Sequence, residues 1–377
     1  MGAAGKAKVC HMTSAHPPED IRIFRKECVS LAKAGYDVYL VEPGGTYEKD
    51  NVHIIGVGPL PGSRRERMAS FSKKVYKAAL SVDADIYHFH DPELLPYGLK
   101  LKKRGKRVIF DSHEKYTEQI KTKEYLPAPL RSLIAFAYGA YERHALRKID
   151  GLVFPCLKDG RNPFEGQCRS IAFLDNVPLL EELYDYYDPD SEKWDRSVCC
   201  LGSLTRARGI TQLVRAASMA GAEVYLAGNF SPDSYQEEVL SMPEASCVHY
   251  MGRVSREDVR KTLSHCRIGA AVGLNVGQYN KFDNLATKSY EYMAMGLPSI
   301  MAKSPYCDKL LSDYCFAVCI DPEDVEAYAS AIRYLLDHPK EARQMGEAGR
   351  RAVQEKFNWG VEETKLLALY EEILSEK

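Results

Sequence analysis

Residues 283–298 read DNLATKSYEYMAMGLP and place two carboxylates at the two ends of a predicted loop-to-helix segment. Asp283 lies in the loop, Glu291 follows eight residues later on the helix, and a Gly-Leu-Pro sequence opens the next strand. The first N–H groups of this helix, near Asn284–Ala286, have no intrahelical partner and lie at its positive end. Such a helix start can bind a pyrophosphate or sugar hydroxyls, and carboxylates accept hydrogen bonds from ribose and sugar hydroxyls. The alternative is a solvated helix with an acidic surface residue and an N-cap.

The same alternation of strand and helix extends along the whole chain. In the second half, apolar runs predict strands at Val198–Leu201, Val224–Leu226, Val248–Met251, Ile268–Val272 and Ser299–Ala302. In the first half they predict strands at Val9–Met12, Val38–Val41, Val52–Val57, Ile86–Phe89, Val108–Phe110 and Leu152–Phe154. Because helical patterns separate these runs, we expect parallel sheets covered by helices on both faces. The predicted fold class is α/β, with two doubly wound Rossmann-like domains that face each other across a cleft.

The length of 377 residues is consistent with two domains at roughly 150 residues each. Residues 181–196 (EELYDYYDPDSEKWDR) lack an apolar period, so we place the linker there. The expected domains are 1–190 and 191–357. A final amphipathic helix at about 358–377 is expected to pack back on the first domain.

Composition excludes several classes of protein. The chain has 51 Lys and Arg against 52 Asp and Glu, and this balance argues against a nucleic-acid binder. Its 45% hydrophobic residues exclude a disordered chain. Eleven cysteines without a CxxC motif indicate reduced thiols. With no signal peptide and no apolar run long enough to cross a membrane, we expect a cytoplasmic protein whose membrane contact is peripheral, at the inner face.

Residues 283–298 resemble the E-x7-E region of the family 4 retaining glycosyltransferases, which have the GT-B fold. The resemblance implies that Asp283, one methylene shorter than the usual Glu, contacts the donor sugar and that Glu291 contacts the nucleotide ribose. A second match is LGSLTRARGI at 201–210. It implies that Arg208 grips the donor diphosphate. Ser203 stands where the family usually has an arginine, and Arg206 is the candidate to supply the missing charge.

Other donor-binding candidates follow strands on the same side of the second sheet. The loop of Asn229 follows one strand, and the next loop contains Arg253 and Val254. The resemblance implies that this second loop holds the nucleotide base, largely through backbone groups. The remaining donor candidates are at the helix start: Asn284, Leu285, Ala286 and Thr287. Ser255 can equally be the N-cap of the following helix.

In the first domain, His113 directly follows a predicted strand. The resemblance implies that it lies beside the donor sugar and the attacking hydroxyl, where a neutral imidazole orients reacting groups. An ordinary loop histidine is the alternative. Candidates on the acceptor side are His16, Arg22, His90 and Asp91.

The motif His88-Phe-His90 places two imidazoles on one face of a strand. A metal site would need a further ligand nearby, and a carboxylate is available. Because the family transfers sugar without a divalent metal, we expect no metal and no cofactor.

Between residues 64 and 77, six basic residues occur with one acid, and apolar residues recur at spacings of three and four. This pattern is typical of a basic amphipathic helix at an anionic membrane. A helix that packs on the sheet with a solvated basic face explains the pattern equally well.

The sequence therefore predicts a retaining, metal-independent glycosyltransferase that uses a nucleotide sugar such as a UDP- or GDP-sugar. The expected acceptor is a hydroxyl of a glycan, a lipid-linked sugar or a small molecule, in surface polysaccharide, glycan or glycolipid synthesis. The catalytic candidates are His113, Arg208 and Asp283. A GT-B sugar-nucleotide epimerase and a non-catalytic two-domain sugar-nucleotide binding protein remain alternatives. A dinucleotide oxidoreductase is disfavoured because no GxGxxG follows a strand.

Overall fold

A computed structural model describes residues 7–123, 126–277 and 279–375. They form two α/β units, each with its own sheet, which confirms the predicted pair of Rossmann-like domains. The first unit comprises Met1–Cys156, Asn162–Asn176 and Gly360–Lys377, and the second comprises Leu157–Arg161 and Val177–Trp359.

The boundary at Asn176 lies ahead of the linker placed at 181–196, and those residues belong to the second unit. Val177 and Leu183 are buried in the core of that unit, and Trp194 packs against it. The acidic composition of the segment therefore conceals a few apolar side chains that attach it to the second sheet.

The sheet of the first unit has the order β3-β4-β2-β1-β5-β6-β7-β8. All neighbours are parallel except β3, which is antiparallel to β4. The strands are β1 (Lys8–Met12), β2 (Asp37–Glu42), β3 (Tyr47–Lys49), β4 (Val52–Gly56), β5 (Ile86–Phe89), β6 (Arg107–Asp111), β7 (Gly151–Phe154) and β8 (Ser170–Phe173). The short strands β3 and β8 are additional to those predicted.

The first helix of this unit opens in π-helical geometry at Ile21–Cys28 and continues as α1 (Val29–Lys33). Asp20 caps it, since its carboxylate accepts hydrogen bonds from the N–H groups of Arg22 and Ile23. A 3-10 turn lies at Pro92–Leu94, and a π-helical segment at Arg67–Phe71 joins α2 to α3. The helices are α2 (Arg64–Glu66), α3 (Ser72–Val82), α4 (Leu95–Lys102), α5 (Tyr116–Lys121) and α6 (Ala128–Leu146).

The sheet of the second unit is entirely parallel, in the order β11-β10-β9-β12-β13-β14. Its strands are β9 (Ser197–Leu201), β10 (Glu223–Ala227), β11 (Val248–Tyr250), β12 (Ile268–Ala271), β13 (Ser299–Ala302) and β14 (Ala317–Ile320). Apolar clusters lie on both faces, as expected for a sheet covered by helices on each side.

The helices of the second unit are α7 (Leu180–Leu183), α8 (Ile210–Ala220), α9 (Ser234–Leu240), α10 (Arg256–His265), α11 (Thr287–Ala294), α12 (Pro305–Asp313), α13 (Val325–Asp337) and α14 (Pro339–Glu355). Short 3-10 turns occur at Tyr184–Tyr186, Arg206–Arg208 and Pro243–Cys247. The last helix, α15 (Trp359–Ser375), lies in the first unit from Gly360 onward.

Cys307 and Cys319 are paired as a disulfide, whereas the sequence analysis treats all cysteines as thiols. The other nine are free. In the described part of the chain, no helix has the length and hydrophobicity required to cross a membrane.

Candidate functional site

In the second unit, three neighbouring strands end in glycine turns that hydrogen-bond to one another. Gly202, after β9, donates its N–H to Ala227 O at 2.8 Å, and Gly228, after β10, donates to Gly252 O at 2.7 Å. Gly228 has φ +135°, and a Cβ there would collide with the carbonyl of Gly202. This turn therefore requires glycine. As a result, the backbone of these turns is closely packed at the carboxyl edge of the sheet.

Arg208 is held by two loops of the same edge. It ends a 3-10 turn and precedes Gly209, which has φ +69° and no room for a Cβ against the carbonyl of Val272. Leu274 donates its N–H to Ala207 O at 2.9 Å, so the loop after β12 is attached to this turn. The guanidinium of Arg208 lies over the ring of Tyr279, 4.6 Å from its centroid. Arg208, the residue predicted to bind the diphosphate, is thus half-buried and positioned by a cation–π contact.

Arg206, the second basic candidate, has a different environment. Its guanidinium forms a two-pronged ion pair with Glu238 and lies 4.7 Å from the ring centroid of Tyr235. Arg206 is exposed, and these contacts direct it toward α9 rather than toward Arg208. Arg208 is therefore the better placed of the two for a ligand at the start of α8.

Both carboxylate oxygens of Asp283 accept backbone hydrogen bonds from the loop 157–161. Oδ1 accepts from Asp159 N at 3.2 Å and Oδ2 from Gly160 N at 2.6 Å, while Asp283 N donates to Leu157 O at 2.9 Å. These bonds connect Asp283 to a distant segment of the chain. Each oxygen retains a lone pair, but its position is fixed by that loop rather than free to follow a sugar.

Glu291, on α11, forms an ion pair with Arg256, which is not among the candidates predicted from the sequence. Arg256 Nη1 donates to Glu291 Oε1 at 2.7 Å and lies 3.5 Å, through Nη2, from Glu182 Oε2. Burial lowers the pKa of Arg256, but Glu291 and Glu182 outweigh it and raise the pKa overall. The side chain of Glu291 is 14% exposed.

The other donor candidates line the same strand ends. Ser203, Asn229, Arg253 and Thr287 are exposed, and Val254, Asn284, Leu285 and Ala286 are half-buried. Ala286 is the N-cap residue of α11, and no side chain of the described residues caps that helix. Ser255, in contrast, forms a full capping box with Asp258 at the start of α10, which supports the structural interpretation of Ser255.

In the first unit, Arg22 and Asp111 form a buried bidentate ion pair. Arg22 Nε and Nη2 lie 2.9 and 3.1 Å from the two oxygens of Asp111, and Nη1 donates to Leu174 O at 3.2 Å. Burial raises the pKa of Asp111, but the charges of Arg22 and His113 hold it well below the ordinary value. Arg22, a candidate for the acceptor side, is only 6% exposed.

Asp111 also contacts two of the candidate histidines. His113 Nε2 lies 3.0 Å and His90 Nδ1 3.2 Å from Asp111 Oδ2, and these two ring nitrogens are 3.3 Å apart. Burial lowers the pKa of His90 to about 4, so its imidazole is neutral at physiological pH. His113 is 17% exposed, whereas His90 is fully buried.

Asp91 fixes the loop that follows β1. Its Oδ2 accepts hydrogen bonds from Thr13 Oγ1 at 2.9 Å and Ser14 N at 2.6 Å, and its Oδ1 lies 3.6 Å from His16 Nε2. His16 Nδ1 lies 3.2 Å from Asp20 Oδ2. Burial lowers the pKa of His16, but Asp20 and Asp91 raise it overall.

Two groups of side chains in the first unit could hold a metal ion. His11, Glu27, His88 and His90 are all buried, and each offers one ligand atom within 4.8 Å of the others. In the second group, His90, Asp111 and His113, the candidate ligand atoms also lie within 4.8 Å of one another. The motif at residues 88–90 signals these groups, but His11 and Glu27 do not stand out in the sequence.

The basic segment 64–77 is helical, as predicted. Phe71 and Val75 are buried against the sheet, while Met68 is 48% exposed and Arg67 donates to Glu93 Oε1 at 2.7 Å. A groove of about 650 Å³ lies along this segment, and its walls include Leu60, Phe71, Lys73, Lys74 and Lys77. The segment therefore both packs on the sheet and presents a basic groove with an apolar wall.

Two family models match the chain. The model described as Glycosyltransferase Family 4 matches residues 24–159, and the model described as Glycosyl transferase-like matches residues 206–368. A curated relative, MMP alpha-(1->4)-mannosyltransferase of Mycolicibacterium hassiacum, is 21% identical over 316 residues, which cover 81% of this chain and 75% of the relative.

Solved structures resemble the whole chain. Sucrose-phosphate synthase of Thermosynechococcus elongatus aligns with a TM-score of 0.77 at 17% identity over 99% of this chain and 100% of that one. Anabaena Alr3699/HepE in complex with UDP-glucose aligns with a TM-score of 0.70 at 11% identity over 97% of this chain and 100% of that one. At these identities the structures establish a shared fold.

Proposed function

Because the chain belongs to the family 4-like glycosyltransferases, we propose that it transfers a sugar from a nucleoside diphosphate sugar to a hydroxyl acceptor with retention of anomeric configuration. The observation that carries this proposal is the arrangement at one sheet edge of the second unit. There Arg208 follows β9, while Glu291 and the uncapped start of α11 follow β12. A cation, a carboxylate and the positive end of a helix together fit a diphosphate joined to a ribose.

We assign the donor contacts by chemistry. Arg208 and the N–H groups at the start of α11 bind the diphosphate, because both provide positive charge at fixed positions. Glu291 accepts hydrogen bonds from the ribose hydroxyls. The closely packed turns at Gly202 and Gly228 let the nucleotide approach the backbone closely, since no Cβ intervenes. Asp283 positions the loop 157–161 and offers its remaining lone pairs to the sugar.

The transfer step needs no protein nucleophile. The acceptor oxygen forms a bond to the anomeric carbon as the bond from that carbon to the diphosphate oxygen breaks on the same face. The acceptor proton moves to the departing phosphate oxygen, so the products are the glycoside and the nucleoside diphosphate. Arg208 and the helix amides stabilise the negative charge that develops on the diphosphate, and no divalent metal is needed at that position.

The acceptor is assigned to residues of the first unit. His113 is half-buried, and its contact with Asp111 fixes the orientation of its ring, so it can donate or accept a hydrogen bond at an acceptor hydroxyl. His16 and Asp91 shape the neighbouring loop. The basic groove beside Lys73, Lys74 and Lys77 suits an amphiphilic anion, so we infer an acceptor carried at an anionic membrane surface, as in surface polysaccharide or glycolipid assembly.

The identity of the donor is tested first with two nucleotide sugars that the related proteins suggest. The curated relative is a mannosyltransferase, which makes GDP-mannose the first choice, and the structure of HepE holds UDP-glucose, which makes that the second. Full-length protein is incubated with each donor, with and without candidate acceptors. We expect release of the nucleoside diphosphate that depends on acceptor, and a product whose anomeric configuration by NMR equals that of the donor.

Other outcomes identify the alternatives. Conversion of the donor to an epimer without any acceptor would show an epimerase. Tight donor binding without turnover by any acceptor would favour a binding protein. An inverted product would overturn the retaining mechanism and leave sugar transfer intact.

A further inference from the structure

One face of the first sheet carries two histidines on adjacent strands and a third directly after the second strand. In the parallel register of β1 and β5, His11 lies opposite His88, and His90 follows two residues later on the same face. The π-helical segment Ile21–Cys28 covers this face and contributes Glu27. We call these four residues the buried histidine cluster. All four are 0% exposed.

The four side chains of the cluster each place one candidate ligand atom within 4.8 Å of the others. His11 Nδ1 and His90 Nε2 are 3.0 Å apart. Glu27 Oε2 lies 4.0 Å from each of these two nitrogens and 3.8 Å from His88 Nδ1. In a tetrahedral zinc site, with Zn–N and Zn–O bonds of about 2.0–2.1 Å, neighbouring ligand atoms are about 3.3 Å apart. To bind zinc, Glu27 would have to approach the imidazoles by about 0.5–0.7 Å, and a His88 bound through Nδ1 would give up its contact with the hydroxyl of Tyr370.

The groups behind the cluster have the arrangement that metal-bound histidines require. His90 directs its second nitrogen, Nδ1, to Asp111 Oδ2 at 3.2 Å. His11 directs Nε2 to the hydroxyl of Tyr370, on α15, at 3.0 Å. A metal-bound imidazole usually donates its other N–H to a carboxylate or another polar oxygen, which fixes the ring and its tautomer.

Some polar atoms of Glu27 and His88 lack a hydrogen-bond partner in the described part of the chain, although His88 Nδ1 lies 2.8 Å from the hydroxyl of Tyr370. Among the described residues, none has hydrogen-bond geometry toward either carboxylate oxygen of Glu27 or toward Nε2 of His88. Arg22 Nε lies 3.2 Å from Glu27 Oε1, but the same guanidinium already forms the bidentate pair with Asp111. Two buried carboxyl groups thus share one cation, and a buried carboxylate without compensation is costly.

We propose that the buried histidine cluster binds one zinc ion through four protein ligands, His11, Glu27, His88 and His90. Three imidazole nitrogens and one carboxylate oxygen suit zinc among the common divalent metals. Because all four ligands are buried, no coordination position faces solvent, and the ion is structural rather than catalytic. The site joins β1, β5 and the helix of Glu27, and it is independent of the donor-binding residues in the second unit.

The rival explanation is a hydrogen-bond chain without metal. Such a chain would run from Asp111 through His90 and His11 to the hydroxyl of Tyr370 and on to His88, whose Nδ1 lies 2.8 Å from that hydroxyl. It leaves the carboxyl group of Glu27 to share the guanidinium of Arg22 with Asp111. Metal content distinguishes the two explanations directly.

The test uses the full chain without a polyhistidine tag, purified from zinc-supplemented medium and analysed for metal by mass spectrometry. We expect about one zinc ion per chain, and visible absorption bands of four-coordinate cobalt after exchange with Co²⁺. Glu27→Gln and His88→Asn remove one ligand each and should lower the zinc affinity by about tenfold or more. His144→Gln, at an exposed position on α6, is the matched control and should keep the metal.

The outcomes are decisive even if a variant misfolds. X-ray absorption of the wild-type zinc protein should show three imidazoles in the first coordination shell. Wild-type protein that contains no zinc, and takes up none in equilibrium dialysis, would overturn the proposal and favour the hydrogen-bond chain. Folded Glu27→Gln and His88→Asn proteins that bind zinc as tightly as the wild type would also overturn it.

Discussion

The guanidinium of Arg208 lies over the ring of Tyr279, 4.6 Å from its centroid, and this contact joins the loops that follow β9 and β12. The aromatic face orients a cation that would otherwise move freely in a loop. Its position at the start of α8, where a helix dipole disfavours positive charge, is explained if an anion binds beside it.

Replacement of Arg208 by Ala should therefore impair catalysis more than folding. We expect a loss of about 2–4 kcal/mol in transition-state stabilisation, the cost of removing one electrostatic donor. The measurement is kcat/KM with the identified donor. Arg215→Ala removes an exposed arginine from α8 and is the control, which should retain wild-type kinetics. A loss below about threefold for Arg208→Ala would rule out its assignment to the diphosphate.

Glu291 and Glu182 contact the same arginine, which provides a matched pair of variants. Both Glu291→Gln and Glu182→Gln weaken the contact with Arg256. Only Glu291 is assigned to the ribose, so Glu291→Gln should raise the donor Kd by about 10–100-fold, the value of a charged hydrogen bond. Isothermal titration calorimetry measures this. Equal losses for both variants would mean that Glu291 acts only through Arg256.

The buried pair of Arg22 and Asp111 predicts a large effect on stability. Asp111→Ala removes the bidentate partner of a buried guanidinium, and we expect the free energy of unfolding to fall by about 3–5 kcal/mol. Asp83→Asn removes the exposed ion pair with Lys106 and should change the free energy of unfolding much less, because solvent screens that pair. Urea denaturation of both variants tests the contrast, and similar losses would contradict it.

His16 predicts a pH dependence of stability with a definite sign. Its pKa is raised in the folded state, because Asp20 and Asp91 outweigh the opposite effect of burial. Protonated His16 therefore stabilises the fold fully below the unfolded pKa of about 6.5, and this contribution is lost as the pH rises through the folded pKa.

The comparison is between wild type and His16→Gln, with urea denaturation at several pH values. The difference in the free energy of unfolding should be largest near about pH 6 and should decline in alkaline solution. His144→Gln, at an exposed position, corrects for the general effect of losing a histidine. A difference that increases with pH would contradict the assigned direction.

The basic groove predicts binding to anionic lipid. Replacement of Lys73, Lys74 and Lys77 by Ser should weaken binding to phosphatidylserine-containing vesicles by about 1 kcal/mol per lysine. Vesicle sedimentation at two salt concentrations measures this. The control replaces three exposed basic residues of the second unit by Ser: Lys261, Lys340 and Arg343. Equal weakening in both triple variants would show that only net charge matters.

Much of the fold could be predicted from the sequence, because parallel strands buried on both faces appear as continuous apolar runs. Strand β3 (Tyr47–Lys49) escaped prediction because all its residues are exposed and it has no apolar run. The domain boundary was placed too late because acidic residues around Leu183 obscured its burial in the second unit.

The candidate site was predictable where its signal is local. The spacing of Asp283 and Glu291 and the position of Arg208 are visible in short motifs. The partners of these residues are not, because Asp159, Gly160 and Arg256 reach them through contacts between distant segments. These partners could be identified only from the three-dimensional arrangement.

The same limit applies to the histidines of the first unit. The alternation of residues 88 and 90 predicts that they share a face, but the pairing of His11 with His88 depends on the register of β1 and β5. Glu27 is reached only because a helix covers that face. The sequence predicts a protein without metal because neither the strand register nor the position of Glu27 is visible in it, and the proposed zinc site depends on both.

The central claim is that the second unit binds a nucleoside diphosphate sugar through Arg208. The direct measurement is thermal unfolding of the full chain with a panel of nucleoside diphosphates and their sugars. At about 100 times its Kd, the true donor should raise the Tm by about 5–10 °C in wild type and in Arg215→Ala, and far less in Arg208→Ala. If no nucleoside diphosphate or nucleotide sugar raises the Tm, or if Arg208→Ala keeps the full shift, the claim is contradicted.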